Sequence, residues 1–314
     1  VDVQENLNVL TDAVITGNTD IQSELNVTGN VFVSSNLNAQ SELNVTGNAF
    51  MSSNVVVSGN VDVQENLNVL TDAVITGNID IQSELNVTGN AFISSNAVVT
   101  GNTDVQSELN VTGNAFVSSN LNAQSELNVT GNAFVSSNLN AQSELNVTGN
   151  AFMSSNVVVT GNTDVQSELN VTGNTFVSSN LNAQSELNVT GNAFVSSNVV
   201  VTGNTDVQSE LNVTGNAFIS SNVVVTGNTD VQSELNVTGN AFISSNLNAQ
   251  SELNVTGNAF ISSNVVVTGN VDVQTNLNVT GNAYATEYYG DGGLLSNVNL
   301  QVVSDHGNTT SNTI

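Results

Sequence analysis

Hydrophobic and polar residues recur along this chain with a strict period of six. Residues 5–286 divide into 47 consecutive hexads without insertion or deletion, and typical hexads read SELNVT, GNAFVS, SNLNAQ, SNVVVT and GNTDVQ. Position 5 is always Val, Ile, Met or Ala, and position 3 is Leu, Val, Ala or Ile except for Thr in six hexads. Position 2 is always Asn, Glu or Asp, whereas position 4 varies most. The pattern predicts a repeat architecture.

Positions 3 to 5 of each hexad predict a short β-strand. Strand side chains alternate between the two faces, so positions 3 and 5 point inward and position 4 points outward. Positions 6, 1 and 2, which read TGN, SSN or QSE, predict a turn, because Gly and Asn tolerate positive φ at a sharp corner. A helix is not supported, since the apolar spacing does not follow a 3.6-residue period.

The fixed hexad length predicts an elongated, all-β parallel solenoid with a triangular cross-section. Three hexads form one turn of eighteen residues, and residues 107–142 repeat one eighteen-residue unit twice. The alternative is an intertwined homotrimeric β-helix, in which each layer takes the same hexad from three chains. At about 4.8 Å per layer, the array is roughly 75 Å long as a single chain and roughly 225 Å long as a trimer. The single-chain solenoid is favoured.

The extent of the hexads divides the chain into two segments. Residues 1–286 are predicted to form the hexapeptide-repeat shaft, and residues 287–314 a non-repeat segment that begins a further domain or linker. The opening string returns at residues 61–78, in the middle of the array. We therefore expect the sequence to be a piece of a longer protein.

The charge of the chain is entirely one-sided. It contains 27 Asp and Glu residues and no Lys or Arg, which gives a formal net charge of −27. Binding to nucleic-acid phosphates or to an anionic membrane is disfavoured, because almost no cation is available to neutralise them. No apolar run approaches the roughly 20 residues needed for membrane insertion, and the absence of Cys excludes a disulfide scaffold. Disorder is disfavoured by hydrophobic residues at constant spacing.

Candidate catalytic and metal-binding residues are few. His306, the one histidine, lies beside Asp305 in a Gly- and Asn-rich tail, where we expect a solvated side chain and no enzymatic activity. Acids recur in the motif DVQSE, and the weak candidates for Ca²⁺ ligands are Asp104, Glu108, Asp164 and Glu168. Carboxylate oxygens suit that ion, but the motif is also typical of a solubilising acidic edge. We expect no cofactor and only loosely bound Ca²⁺ as a counterion.

Asn-linked glycosylation is the first candidate modification. The sequon NVT occurs twelve times, with its Asn at the outward position 4, and NTT adds one more near the end of the chain. The alternative is that these Asn residues simply provide a polar outer face. Candidate residues for glycosylation are Asn26, Asn44, Asn128, Asn278 and Asn308.

Eleven Phe residues share position 4 and are predicted to be exposed. Modules of eighteen and of twenty-four residues are mixed along the chain, so a single-chain prism places these Phe residues on different faces. Isolated exposed aromatic residues are normal on a protein surface, but eleven in one register are equally consistent with packing against a neighbouring chain. Candidate assembly residues are Phe32, Phe50, Phe92, Phe134 and Phe260. Self-association is expected to be lateral, end-to-end or trimeric.

The sequence also resembles known repeat proteins. Inward residues four positions apart, such as Val129 and Ala133, are similar to the hexapeptide repeat of left-handed parallel β-helix proteins. The string LNVTGNAFVSSN, and later NAYATEYYGDGGLLSNV, resembles the repetitive fibre and appendage proteins of tailed phages and large algal viruses. In those, VTGN arrays lead into a GDG…L…N element, which here occupies residues 289–297. The resemblance implies a structural protein on a virion or cell surface.

Function is therefore expected to be structural. The chain is predicted to form a rigid shaft, extracellular or on a virion surface, that projects or assembles other parts. Contact with a host-surface glycan or receptor would then occur through further domains. The alternative is a surface adhesin that binds calcium or glycans through the lateral faces of the shaft.

Overall fold

The structure, a computed structural model, describes residues 1–289, with side chains as far as residue 286. After β1 (Asp2–Val3), every strand from β2 (Leu7–Val9) to β45 (Val265–Val267) has three residues, and neighbouring strands in this series begin six residues apart. The remaining strands are β46 (Asn270–Val273), β47 (Leu277–Val279), β48 (Ala283–Tyr284) and β49 (Glu287–Tyr289). No helix occurs within residues 1–289.

Each strand pairs in parallel with the strand three places later, which confirms the predicted solenoid. Sheet 1 contains β1, β4, β7 and so on to β49, with 17 strands, while sheet 2 (β2 to β47) and sheet 3 (β3 to β48) contain 16 each. In register, Leu127 lies beside Leu145 and Asn128 beside Asn146, so equivalent residues are eighteen positions apart. The three sheets of one chain enclose a triangular prism.

Backbone hydrogen bonds between turns continue beyond the strands into the corners. The N–H of Leu127 donates to the carbonyl of Glu144 at 2.9 Å, and the N–H of Thr130 donates to the carbonyl of Val111 at 2.9 Å. These bonds recur at equivalent positions along the array. A three-residue strand has few bonds of its own, so the turns above and below satisfy its polar backbone groups.

The core consists of positions 3 and 5, as predicted. In β22 (Leu127–Val129), Leu127 is 0% and Val129 is 2% exposed, whereas the central Asn128 is only half-buried. The same alternation of buried and outward residues holds from β4 (Thr19–Ile21) to β45. Because each side chain lies on its equivalent one turn away, the core is continuous along the axis.

The regular spacing ends at β49. Asn270 pairs with Glu287, seventeen residues later, instead of with a residue eighteen positions on. The backbone of residues 287–289 thus still extends sheet 1, out of the earlier register. The rest of the predicted segment 287–314 lies outside the described residues.

Glycine at the corners is required for a reason other than the predicted one. None of the described glycines has a positive φ. Instead, a Cβ on Gly131 would lie 2.5 Å from Asn114 Oδ1 and 2.6 Å from the carbonyl oxygen of Gly113, one turn away. At Gly17, in the first turn, a Cβ would meet nothing within 4 Å. Close axial stacking of the corners, not backbone twist, therefore selects glycine.

Replacing Gly131 tests this stacking. We expect Gly131→Ala to destabilise the solenoid by about 1–3 kcal/mol, because the added methyl group overpacks the corner. Ser125→Ala, at the same hexad position, is the control and should cost far less. Chemical denaturation followed by circular dichroism measures both changes, and equal stability of the two variants would contradict the steric explanation.

Six buried Thr residues are a second departure from an ideal core. They are Thr19, Thr103, Thr163, Thr175, Thr205 and Thr229, each at position 3 and at most 2% exposed. Their hydroxyl oxygens have no hydrogen-bond partner. Thr103 lies between Leu85 and Leu121 in sheet 3, where the neighbouring side chains are aliphatic. A buried hydroxyl without a partner lowers stability.

Removing one of these hydroxyls should stabilise the protein. We expect Thr103→Val to raise the free energy of unfolding by about 1 kcal/mol, because a buried polar group is replaced by a methyl group of similar shape. Thr100→Val, at an exposed corner, provides the control and should leave the stability nearly unchanged. Thermal unfolding of the two variants separates these outcomes, and a loss of stability in Thr103→Val would show that the hydroxyl is satisfied.

Candidate functional surfaces

Columns of carboxamides run along the corners and are interrupted where Glu occupies position 2. The N–H of Asn132 donates to Oδ1 of Asn114 at 2.7 Å, and Oδ1 of Asn132 accepts the N–H of Asn150 at 2.7 Å. Ser at position 1 adds a hydroxyl bond, as from Ser155 to Oδ1 of Asn138 at 2.9 Å. Position 2 therefore satisfies corner backbone groups where it is Asn or Asp, a role that the frequency of these residues there could have indicated.

The sequon Asn residues form a second ladder on the outer faces. Nδ2 of Asn26 donates to Asn8 at 2.9 Å, Asn44 donates to Asn26 at 2.8 Å, and Asn128 donates to Asn110 at 2.9 Å. Asn278 is exposed. Neighbouring sequons in one column are a single strand spacing of about 4.8 Å apart, so glycans on adjacent turns would compete for the same space. Glycosylation stays a prediction.

The candidate calcium ligands occupy different parts of the prism. Asp104 is the central residue of its strand in sheet 3, whereas Glu108 lies at the following corner and accepts a bond from Asn110 at 3.4 Å. Asp164 and Glu168 repeat this arrangement. Oδ1 of Asp104 is buried without a hydrogen-bond partner. Within residues 1–289, no three His, Cys, Asp or Glu side chains form a metal-binding group.

Two acids stack directly on sheet 2. Asp62 and Asp80 are cross-strand partners. Desolvation by burial, and then the negative charge of Asp80, raise the pKa of the Asp62 carboxyl above its ordinary value of 3.8. Asp62 is nevertheless still largely exposed. Pairing of these two residues depends on the eighteen-residue turn, so it could not be identified from the hexad alone.

The Phe residues are distributed over all three sheets, as predicted for a single-chain prism with mixed modules. Phe32 and Phe50 lie on sheet 3, Phe92 on sheet 1, and Phe134 and Phe260 on sheet 2. Neighbouring rings stack face to face, with centroids 5.2 Å apart for the pair on sheet 3. Most of these rings are 36–40% exposed. Their role in assembly stays a prediction.

Shallow grooves run parallel to the axis between the outward residues and the corners. One groove on sheet 2 is bordered by Phe152, Asn170, Asn188 and Asp206 on one side and by Thr172 and Gln208 on the other. A similar groove on sheet 3 runs from Phe194 to Asp230. Amides, hydroxyls and a carboxylate thus line these surfaces, with an aromatic ring at one end.

Some predicted features lie outside the described residues. They are the pair of Asp305 and His306, the sequon at Asn308, and all of the GDG…L…N element except the backbone of Tyr289. Their predicted roles stay predictions.

Comparison with protein-family models, curated proteins and solved structures finds no match for this chain. Within the described part, no helix is long and apolar enough to cross a membrane. Its function is therefore inferred from the geometry of the solenoid and the chemistry of its faces.

The stacked pair on sheet 2 predicts a pH-dependent effect. Because the pKa of Asp62 is raised in the folded state, its favourable contribution is present below pH 3.8 and is lost as the pH rises through the folded-state pKa. We expect Asp62→Asn to raise the melting temperature at pH 7 by at most about 2 °C, since an exposed charge is screened, and to have no effect at pH 3.

The control for this prediction is Asp206→Asn, whose neighbours on sheet 2 are Asn188 and Val224. Thermal unfolding of both variants at the two pH values is the measurement. A stabilisation of Asp62→Asn that persists unchanged at pH 3 would show that charge is not its cause.

Proposed function

We propose that this chain is the rigid shaft of a surface fibre or appendage, on a virion or a cell surface, that holds other parts at a fixed distance. The observation that supports the proposal is the uninterrupted eighteen-residue register, which runs from the pair Asp2 and Asp20 to the pair Val266 and Tyr284. Its role is structural and non-catalytic.

Stiffness follows from the way in which the turns are joined. Each turn donates and accepts backbone hydrogen bonds on three sheets and at the corners. Asn ladders and stacked rings add side-chain contacts along the same axis. Bending the shaft would lengthen these bonds on one side of the prism, so a straight rod is the state of lowest energy.

A second candidate function is adhesion through the lateral faces. The groove beside Phe152, Asn170 and Asn188 offers amide groups and an aromatic ring to an extended glycan. With no Lys or Arg in the chain, such a ligand would be neutral or cationic. Contact would then occur along the shaft instead of at an attached domain.

Distance measurements test the shaft directly. The chain has no native Cys, so spin labels can be placed at Gln40→Cys and Thr256→Cys, two exposed corner positions in one column. They are 216 residues apart, or twelve turns of eighteen. At about 4.8 Å per turn we expect a narrow distance distribution near 58 Å, measured by pulsed electron paramagnetic resonance.

The control pair is Gln40→Cys with Thr148→Cys, six turns apart, which should give about half of that distance. A broad distribution for the longer pair would overturn the rigid shaft. A distance about three times larger would indicate the intertwined trimer instead.

A further inference from the structure

One apolar stripe winds continuously around the prism. Every complete turn has at least one outward strand centre that is apolar, and the other centres are mostly Asn or Asp. In chain order, the stripe begins on sheet 3 at Val14, continues on sheet 1 from Val56 and reaches sheet 2 at Val98. It then passes over sheets 3, 1 and 2 once more and ends on sheet 3 at Tyr284.

The largest block of the stripe lies on sheet 2, and we call it the sheet-2 patch: Val98, Phe116, Phe134 and Phe152. Its aromatic rings are already held in place by stacking within the single chain, before any partner binds. Phe116 and Phe134 have centroids 4.9 Å apart and an interplanar angle of 2°, and Phe134 and Phe152 are 5.1 Å apart. Rings that are already fixed lose little conformational entropy when a partner covers them.

Carboxylates are absent from the two corners that border this patch, and the one carboxylate stacked on it is Asp80, beside Val98 at its end. The preceding corner carries Asn96, Asn114, Asn132 and Asn150, and the following corner carries Asn102, Asn120, Asn138 and Asn156. The stacked Glu residues at the same height, Glu108, Glu126 and Glu144, border the Asn ladder of sheet 1 instead. The second apolar block of sheet 2, Val224, Phe242 and Phe260, is also bordered by Asn at both corners, and Asp206 stacks on Val224 at its end.

We propose that copies of this chain associate side by side through the sheet-2 patch. A basic partner would be recognised by carboxylates along the apolar surface, and here the two bordering corners carry none, while Asp80 lies only at the Val98 end of the patch. Another copy of this chain carries the same negative charge and no Lys or Arg, so it can approach closely only where both surfaces are neutral. The patch meets this condition, because its apolar rings are bordered by amides that can pair with amides.

The available area is consistent with such a contact. The seven apolar residues of the two blocks on sheet 2 expose roughly 400 Å². A stable interface buries about 800 Å² per partner, so the Asn rows along the corners must supply the rest. Side-by-side contact is made by each block with its own Asn rows, because Glu168, Glu186 and Asp206 carry charge between the two blocks.

Sedimentation equilibrium over a wide range of protein concentrations tests the proposal. We expect the native chain to form oligomers, and the triple variant Phe116→Asn/Phe134→Asn/Phe152→Asn to associate at least about tenfold more weakly. The variant should keep the fold, because Asn170 and Asn188 already occupy the same column. The matched control, Asn110→Ser/Asn128→Ser/Asn146→Ser, changes three outward residues of sheet 1 at nearly the same height and should associate like the native chain.

A second variant tests the charge argument without removing a ring. Asn132→Glu places a carboxylate beside the patch at a hexad position where Glu is common. We expect weaker association at low ionic strength that is restored by added salt. A native chain that stays monomeric at every concentration, or a triple Phe variant that associates as strongly as its control, would overturn the proposal.

Discussion

Axial repetition is the constraint on which this structure depends. Every residue lies beside its equivalent one turn away, at the spacing of neighbouring strands, about 4.8 Å. A residue must therefore be compatible with a copy of its own position above and below. Aliphatic residues meet this condition in the core, carboxamides meet it by donating and accepting along a column, and aromatic rings meet it by stacking. Carboxylates meet it poorly, as the pair Asp62 and Asp80 illustrates.

The same constraint explains why every hexad of the array has six residues although the residue types at its positions vary. An inserted residue would move inward side chains to the outer face of every later strand. It would also separate the corner Asn from the backbone N–H that its oxygen accepts, as between Asn114 and Asn132. Substitution is less disruptive, because Leu, Val, Ala and Ile all occupy position 3 without any change in strand length.

The fold was predictable because the hexad pattern depends on residues that are close together in the sequence. Alternation at positions 3, 4 and 5 determines which side chains are buried, and the eighteen-residue repeat indicates three strands per turn. Features that depend on contacts between turns were harder to predict from the sequence. The hexad predicts corner glycine for its tolerance of positive φ, whereas the requirement at Gly131 comes from Asn114 and the backbone of Gly113 one turn away. The missing partners of the Thr103 hydroxyl and of Asp104 likewise became visible only with the register.

Module length connects this constraint to the surface. An eighteen-residue module returns a residue to the same sheet, as from Phe116 to Phe134. A twenty-four-residue module advances it by one sheet, as from Phe152 on sheet 2 to Phe176 on sheet 3. Because every hexad presents the same inward pattern, the order of modules can change the outer faces without disturbing the core. Within each module, SELNVT precedes GNAFVS, so the Glu corner and the Phe face are always on opposite sides of an Asn ladder. The separation of the Glu corner from the Phe face is thus a property of these modules, whereas an Asp at a strand centre still meets the apolar surface, as Asp80 does beside Val98.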